Sequence, residues 1–215
     1  MKTETILNKL LKLKDNPFNA ELLDNVINEL KIDVYNENMG LKNMKNDPQK
    51  KALKFLNDNK KRFSSSRSCL AYACNTVING DDVQVFTDTY IAFFLKTFYK
   101  LPLWDNENGK YPQIERVLPN KNYGEVVKFN FKELVAKLKA KQIEEKDGIK
   151  IIELNSDSYK CYFDADNLKK ISDILGTTDI TICLYGELRP ALIIDEKTDN
   201  RAVITPIRKI LLKRK

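Results

Sequence analysis

Residues Tyr159–Arg208 have the sequence YKCYFDADNLKKISDILGTTDITICLYGELRPALIIDEKTDNRAVITPIR, and the fold prediction starts from them. Asp164 or Asp166 is placed to cap a helix that Gly176 ends. Apolar residues recur at helical spacing between these positions, at Leu168, Ile171 and Leu175. Three short runs bounded by turn residues then predict strands at Ile180–Tyr185, Pro190–Ile194 and Ala202–Ile207. The segment is therefore predicted to form a strand, a capped helix and three strands.

The preceding residues repeat this alternation of strand and helix. A strand is predicted at Val126–Phe129 and a helix at Phe131–Lys141, with Asn130 and Glu133 as a pair resembling a capping box. A charged turn at residues 142–148 and a strand at Ile149–Leu154 follow. From residue 125 onward the predicted order is β-α-β-β-α-β-β-β. Two helices on one face of an antiparallel sheet make this an α+β fold.

Residues 47–95 are predicted to contain one more helix and two strands. Asp47-Pro48 opens the helix, with proline at its first position. Ser68–Ile78 and Val83–Leu95 have strand composition, and the Asn-Gly pair between them is a hairpin signal. The helix and its surroundings are the most basic part of the chain, with Lys50, Lys51, Lys54, Lys60, Lys61, Arg62 and Arg67. Such a face suits a DNA phosphate backbone, and a solvated helix surface explains it equally well.

The first 46 residues are predicted to be a helical N-terminal segment, separate from an α+β domain at residues 47–215. Ile6–Leu13 and Leu22–Leu30 have the apolar spacing of two amphipathic helices, broken at Pro17. Residues 36–50 are polar and predict a loop. A helical hairpin that packs on its own chain is the expected arrangement.

Composition limits the possible functions. The formal charge of +7 over 215 residues favours polyanionic partners, and a biased genome composition would also produce many lysines. The chain has no histidine, so the commonest general base and zinc ligand are missing. Its four cysteines lack CxxC spacing, and reduced thiols in a cytoplasmic protein are expected. No signal peptide, membrane span, metal site or cofactor is predicted, and an enzyme is not expected.

Three stretches, in the same chain order, resemble bacterial DNA polymerase sliding clamps. Residues 87–92, TDTYIA, resemble a Thr-Asp-Gly-x-Arg-Leu-Ala element of that family, with Thr89 in place of the glycine and Ile91 where the family has an arginine or another residue before Leu-Ala. Residues 109–119, GKYPQIERVLP, resemble its Gly-(Lys/Arg)-(Tyr/Phe)-Pro-x-x-x-Arg-Val-(Ile/Leu)-Pro segment. The ending RPALIIDEKTDNRAVITPIR resembles its last strands and tail. The resemblance covers about residues 50–208 and implies a DNA-clamp-like fold.

The resemblance implies a non-catalytic processivity factor. Family members carry a cleft for short peptides of polymerases and clamp loaders, and the matching positions are Thr87, Asp88, Tyr90, Ile91, Tyr111, Pro112, Pro206, Ile207 and Arg208. Double-stranded DNA would be bound nonspecifically through its backbone. The chain is shorter than a normal subunit, which suggests an abbreviated or phage-encoded relative. A ring around DNA would need a homo-oligomer.

Two alternatives remain open. A clamp-fold interaction module would modulate host replication proteins without forming a ring. A Mg²⁺-dependent nuclease would use Asp195 and Lys197, at the end of a strand, with Asp179 or Glu187 as a second carboxylate. The same Asp195–Asn200 stretch also has the composition of a hairpin turn.

Overall fold

The computed structural model describes residues 47–208 apart from residues 64, 97–98, 106–108 and 147. The predicted N-terminal helices and residues 209–215 lie outside the described residues. The proposed boundary after residue 46 therefore stays a prediction.

The described chain contains three helices, each followed by three or four strands. The helices are α1 (Pro48–Arg62), α2 (Phe131–Lys139) and α3 (Ala165–Leu175). The strands are β1 (Cys74–Ile78), β2 (Asp81–Thr87), β3 (Ile91–Leu95), β4 (Glu125–Asn130), β5 (Glu144–Lys146), β6 (Ile149–Asn155), β7 (Lys160–Asp164), β8 (Asp179–Leu184), β9 (Ala191–Asp195) and β10 (Asn200–Ile204). Short 3₁₀ segments lie at Ser65–Ala71, Ile114–Val117 and Lys121–Tyr123.

The strands form two antiparallel sheets. The larger has seven strands in the order β1-β2-β3-β10-β9-β8-β4, and the smaller has the order β5-β6-β7. Strand β10 pairs with β3 on one side and β9 on the other, with Val203 opposite Ala92 and Leu192. The last strand of the described chain is therefore central, and it joins the hairpin β2-β3 to the segment that the opening sequence predicts.

Both faces of the seven-stranded sheet are covered. On one face, every second residue of each central strand packs against the helices and against Phe163 of the small sheet. Examples are Phe93 of β3, Ile193 of β9 and Ile182 of β8. On the other, residues such as Leu192 and Phe94 pack against the connection between β3 and β4. This double burial explains why β3, and β9 up to Ile194, are continuously apolar rather than alternating. The predicted α+β fold with helices on one face is confirmed.

The predicted helix caps are confirmed as well. Asp47 accepts backbone hydrogen bonds at the start of α1, and Asp164 does the same for α3. Asn130 caps α2, and its side-chain amide lies 3.5 Å from the Glu133 carboxylate. Gly176 ends α3 with a left-handed φ of 73°, a conformation that costs glycine little.

Three predicted elements were wrong in detail. The run Val83–Leu95 is two strands with a tight turn at residues 88–90, because Thr89 adopts a φ of +79° that a β-branched residue rarely takes. The run Ser68–Ile78 is a strand only from Cys74, and its first part belongs to the 3₁₀ segment. The charged turn at residues 142–148 contains β5, which pairs with β6.

The cysteines are free thiols, and Cys161 and Cys183 are buried while Cys69 and Cys74 are partly exposed. Burial raises the pKa of Cys74, Cys161 and Cys183, which keeps them protonated. In the part of the chain that the structure describes, no group of three His, Cys, Asp or Glu residues is arranged to hold a metal ion. None of the helices described is long and apolar enough to cross a membrane.

Candidate peptide groove and basic helix layer

The turn between β2 and β3 is fixed by its own side chains. The buried Asp88 carboxylate accepts hydrogen bonds from the N–H groups of Tyr90 (2.9 Å) and Ile91 (2.8 Å). The Thr87 hydroxyl donates to the Ile91 carbonyl at 2.7 Å and accepts from the Thr89 N–H at 3.0 Å. These bonds hold Thr89 at positive φ and leave the Tyr90 ring half exposed.

Beside this turn lies an apolar groove with a volume of about 380 Å³. Its floor comes from the central strands, at Thr87, Ile91, Ala92 and Val203. One wall is the 3₁₀ segment, at Arg67, Cys69 and Leu70, and the other is the connection, at Pro112, Ile114 and Val117. Pro190 and Thr205 lie at one end, and Thr89 and Tyr90 form a lip. Among these lining residues Arg67 alone carries a charge at neutral pH.

The wall formed by the connection is held from behind by Tyr111. Its hydroxyl donates a hydrogen bond to the Tyr72 carbonyl at 3.1 Å, and its ring belongs to the core on that face of the sheet. Burial raises the pKa of Tyr111 well above its usual range, so the phenol stays neutral. Pro112 and Ile114, next to this anchor, are thereby directed to the groove.

The structure brings together four of the nine residues expected in a peptide cleft. Thr87, Tyr90, Ile91 and Pro112 line the groove. Asp88 and Tyr111 lie behind its lip and wall and position them. The tail residues Pro206, Ile207 and Arg208 do not line it, because the chain leaves β10 toward β7, where the Ile207 N–H donates to the Tyr162 carbonyl at 2.7 Å.

Several lining residues escaped the sequence interpretation. Pro190 and Val203 reach the groove through the strand order of the large sheet, and Leu70 lies on the 3₁₀ segment beside it; no local pattern reveals these placements. Arg67, expected on a DNA-binding surface, lies in the groove wall instead.

The second candidate surface is the layer of three helices, which packs on the opposite face of the sheet. Helix α1 has six Lys or Arg residues and one Asp, α2 has three Lys and one Glu, and α3 has two of each sign. The remaining six residues expected to bind DNA all lie on α1. Positive charge is therefore concentrated on one helix beside α3, which α1 contacts.

Part of this charge is neutralised locally. Lys51 lies 3.7 Å from Asp173 of α3, and Lys50 lies 3.8 Å from Asp47 at the start of α1. Lys60, Lys61 and Arg62 occupy the last turn of α1, where cations also complement the helix dipole. This last turn is the strongest candidate for phosphate contacts.

Helix α1 is bonded to the groove through Asn59, which sequence reasoning missed. The buried Asn59 amide donates to the carbonyls of Leu70 (2.8 Å) and Thr87 (3.0 Å), and both of these residues line the groove. The signal was present in the sequence, since Asn59 continues the apolar stripe of Ala52, Phe55 and Leu56.

The side chain of Arg62, on the last turn of α1, also contacts the lip of the groove. The Arg62 guanidinium carbon lies 5.2 Å from the centre of the Tyr90 ring and 5.3 Å from that of Phe63. Both distances are in the range of cation–π attraction.

The structure gives Asp195 a turn-forming role. Its buried carboxylate accepts hydrogen bonds from the Lys197 N–H (3.2 Å) and the Thr198 hydroxyl (2.5 Å). The predicted partners Asp179 and Glu187 are exposed, at the first residue of β8 and in the loop after that strand. This arrangement favours the hairpin interpretation of Asp195–Asn200 over the nuclease alternative.

No protein-family model matches the sequence, and no curated protein is similar to it. The structure is similar to solved bacterial sliding clamps. A C. crescentus beta sliding clamp has a TM-score of 0.49 and 12% identity over 74% of this chain and 64% of that one. The DNA polymerase III beta chain of Streptococcus pneumoniae has a TM-score of 0.36 and 18% identity over 61% of this chain and 43% of that one.

A Helicobacter pylori beta clamp bound to a DNA ligase peptide has a TM-score of 0.36 and 16% identity, over 59% of this chain and 41% of that one. The chain thus spans less than half the length of the S. pneumoniae and H. pylori proteins it matches. At these identities the similarity concerns the fold alone, and function has to be argued from the groove and the charges of this chain.

Proposed function

We propose that this protein is a non-catalytic, clamp-like accessory factor of DNA replication, which captures a short peptide of a replication protein in the apolar groove while its helix layer rests on duplex DNA. The groove is the observation that carries the proposal. It is open and apolar, with a lip whose backbone is held by hydrogen bonds and a single cation at its wall, as suits a short peptide with apolar side chains.

The helix layer supports the DNA half of the proposal. The excess of positive charge on α1 would release counterions from a phosphate backbone without reading sequence. Since the helices and the groove lie on different faces of the sheet, a peptide and a duplex do not compete for the same area.

Self-association is the route to a ring. Within the described residues, β1 and β4 are the edge strands of the large sheet, and each presents an exposed valine, Val77 and Val126. Open edges can pair with another strand and continue the sheet.

Light scattering on wild type and on Val77→Lys tests this step. A discrete oligomer that is lost in the variant supports edge pairing. A wild-type monomer at every concentration favours the module that acts without a ring.

Peptide capture is tested by selecting ligands from a random peptide library and measuring their affinity by fluorescence anisotropy. Tyr90→Ala and Val117→Asp alter exposed lining residues and should each weaken binding at least about ten-fold, since an aromatic anchor or a desolvated contact is lost. Tyr123→Ala and Leu188→Asp make comparable changes at exposed positions outside both the groove and the strand edges, and should bind normally. Equal affinity in all four variants would contradict the proposed site.

DNA binding is tested by its salt dependence. The double variant Lys60→Gln, Lys61→Gln should reduce the magnitude of the slope of log K for DNA binding against log salt concentration by about two. Each phosphate contact contributes roughly 0.9 to that magnitude. Lys110→Gln with Lys121→Gln removes the same charge from exposed positions in the connection after β3. An equal loss of slope in both double variants would show that the helix layer has no special role.

A further inference from the structure

We infer that Arg62 is a positioning residue of the groove and that duplex DNA weakens peptide binding by drawing Arg62 away from Tyr90. This inference rests on the proposed function and adds a regulatory link between its two surfaces. Arg62 belongs to the last, most basic turn of α1, while the ring it contacts is the exposed lip of the groove.

At the lip, the Tyr90 side chain is in contact with Arg62. Asp88 and Thr87 fix the backbone of the turn, but the Tyr90 ring is half exposed and its described side-chain partner is Arg62. A ring held at the lip loses less rotamer freedom when a peptide binds, so the contact preorganises the groove.

Phosphate competes for the same guanidinium. A charge-assisted bond from Arg62 to a DNA phosphate is stronger than an exposed cation–π contact, so bound duplex favours the released arginine. The Tyr90 ring is then free to move. Because linkage is reciprocal, a peptide that fixes the ring must weaken DNA binding by the same factor.

Asn59 and Asp88 confine the effect to side chains. Asn59 bonds α1 to the 3₁₀ wall and to the floor of the groove, and Asp88, which lines a depression between α1 and α3, caps the lip turn. The backbone link between the surfaces is therefore rigid, and the side chain of Arg62 is the part that can change partner.

The test compares Arg62→Gln with Lys61→Gln, its neighbour on the same turn, which loses the same charge. The probes are a selected groove peptide and a short duplex of mixed sequence, used together and separately. Without DNA, Arg62→Gln should lower the affinity for the peptide about two- to five-fold, as expected from the loss of an exposed cation–π contact. Lys61→Gln should leave this affinity unchanged. Saturating duplex should lower the affinity for the peptide by a similar factor in wild type and in Lys61→Gln, but should not change it in Arg62→Gln.

A second readout does not need the peptide. In protein labelled with 3-fluorotyrosine, the Tyr90 resonance is assigned by its loss in Tyr90→Phe. Duplex should shift it in wild type and in Lys61→Gln, and Arg62→Gln should shift it without DNA. Identical behaviour of the two variants would overturn the inference. If no duplex binds, the DNA part of the proposed function and the regulatory link both fail, whereas the DNA-free comparison still decides whether Arg62 positions the lip.

Discussion

Replacing Asn59 with alanine tests whether α1 is bonded to the groove as described. The variant removes two buried hydrogen bonds and leaves the carbonyls of Leu70 and Thr87 without their donor. Each bond has a net value of about 1 kcal/mol, and burying unpaired carbonyls adds about 1–3 kcal/mol. We therefore expect the free energy of unfolding to fall by about 3 kcal/mol.

The matched control is Asn57→Ala, an exposed position on the same helix. Both variants replace asparagine with a better helix former, so the difference between them cancels helix propensity. Urea unfolding followed by far-UV circular dichroism and by fluorescence of Trp104, the single tryptophan, gives both free energies. A difference below about 1 kcal/mol would refute the assignment of Asn59 as a buried double donor.

Three further substitutions test local packing. Thr89→Gly should stabilise the fold by about 0.5–1 kcal/mol, because relief of the positive φ outweighs the entropy of glycine in the unfolded chain; destabilisation in urea would contradict the strain. Gly124→Ala should cost about 1–3 kcal/mol, since a Cβ there would lie 2.7 Å from Cys183 Cβ, whereas the exposed Asn122→Ala should be nearly neutral. Tyr185→Phe should gain about 1 kcal/mol at neutral pH, because within the described residues the buried hydroxyl forms no hydrogen bond of good geometry, and the neighbouring Cys183 thiol is a weak hydrogen-bonding group. Burial also raises the pKa of Tyr185 to about 12, above an unfolded value near 10. Because the unfolded chain then deprotonates first, wild type should lose stability relative to the variant as pH rises past about 10. Urea midpoints of the two proteins that run parallel across that range would contradict this.

Local signals predict the parts of the fold that depend on neighbouring residues. The caps Asp47 and Asp164 and the stop at Gly176 are each set within one turn of chain, so the sequence identifies them directly. The turn at Thr89 was missed for the opposite reason. Its left-handed backbone is held by hydrogen bonds that the backbone N–H groups of Thr89 and Tyr90 donate to the side chains of Thr87 and Asp88, in a run whose composition predicts one continuous strand.

The groove could be predicted only in part. Thr87, Tyr90 and Pro112 followed from the resemblance to clamps, whereas Val203 and Pro190 depend on β10 pairing between β3 and β9. Strand order of this kind arises from packing across the whole sheet, and no short pattern encodes it. Arg67 shows the same limit, because its charge suggested DNA while its position in the fold places it at an apolar wall.

Simultaneous occupation of the groove and the helix layer is the most direct test of a clamp-like accessory role. Sedimentation of wild-type protein with a labelled groove peptide and a differently labelled duplex measures it. We predict a complex that contains protein, peptide and duplex, in which the affinity for the peptide is about two- to five-fold lower than without DNA. Complete mutual exclusion, or a peptide complex that never sediments with DNA at low salt, would contradict the proposed role.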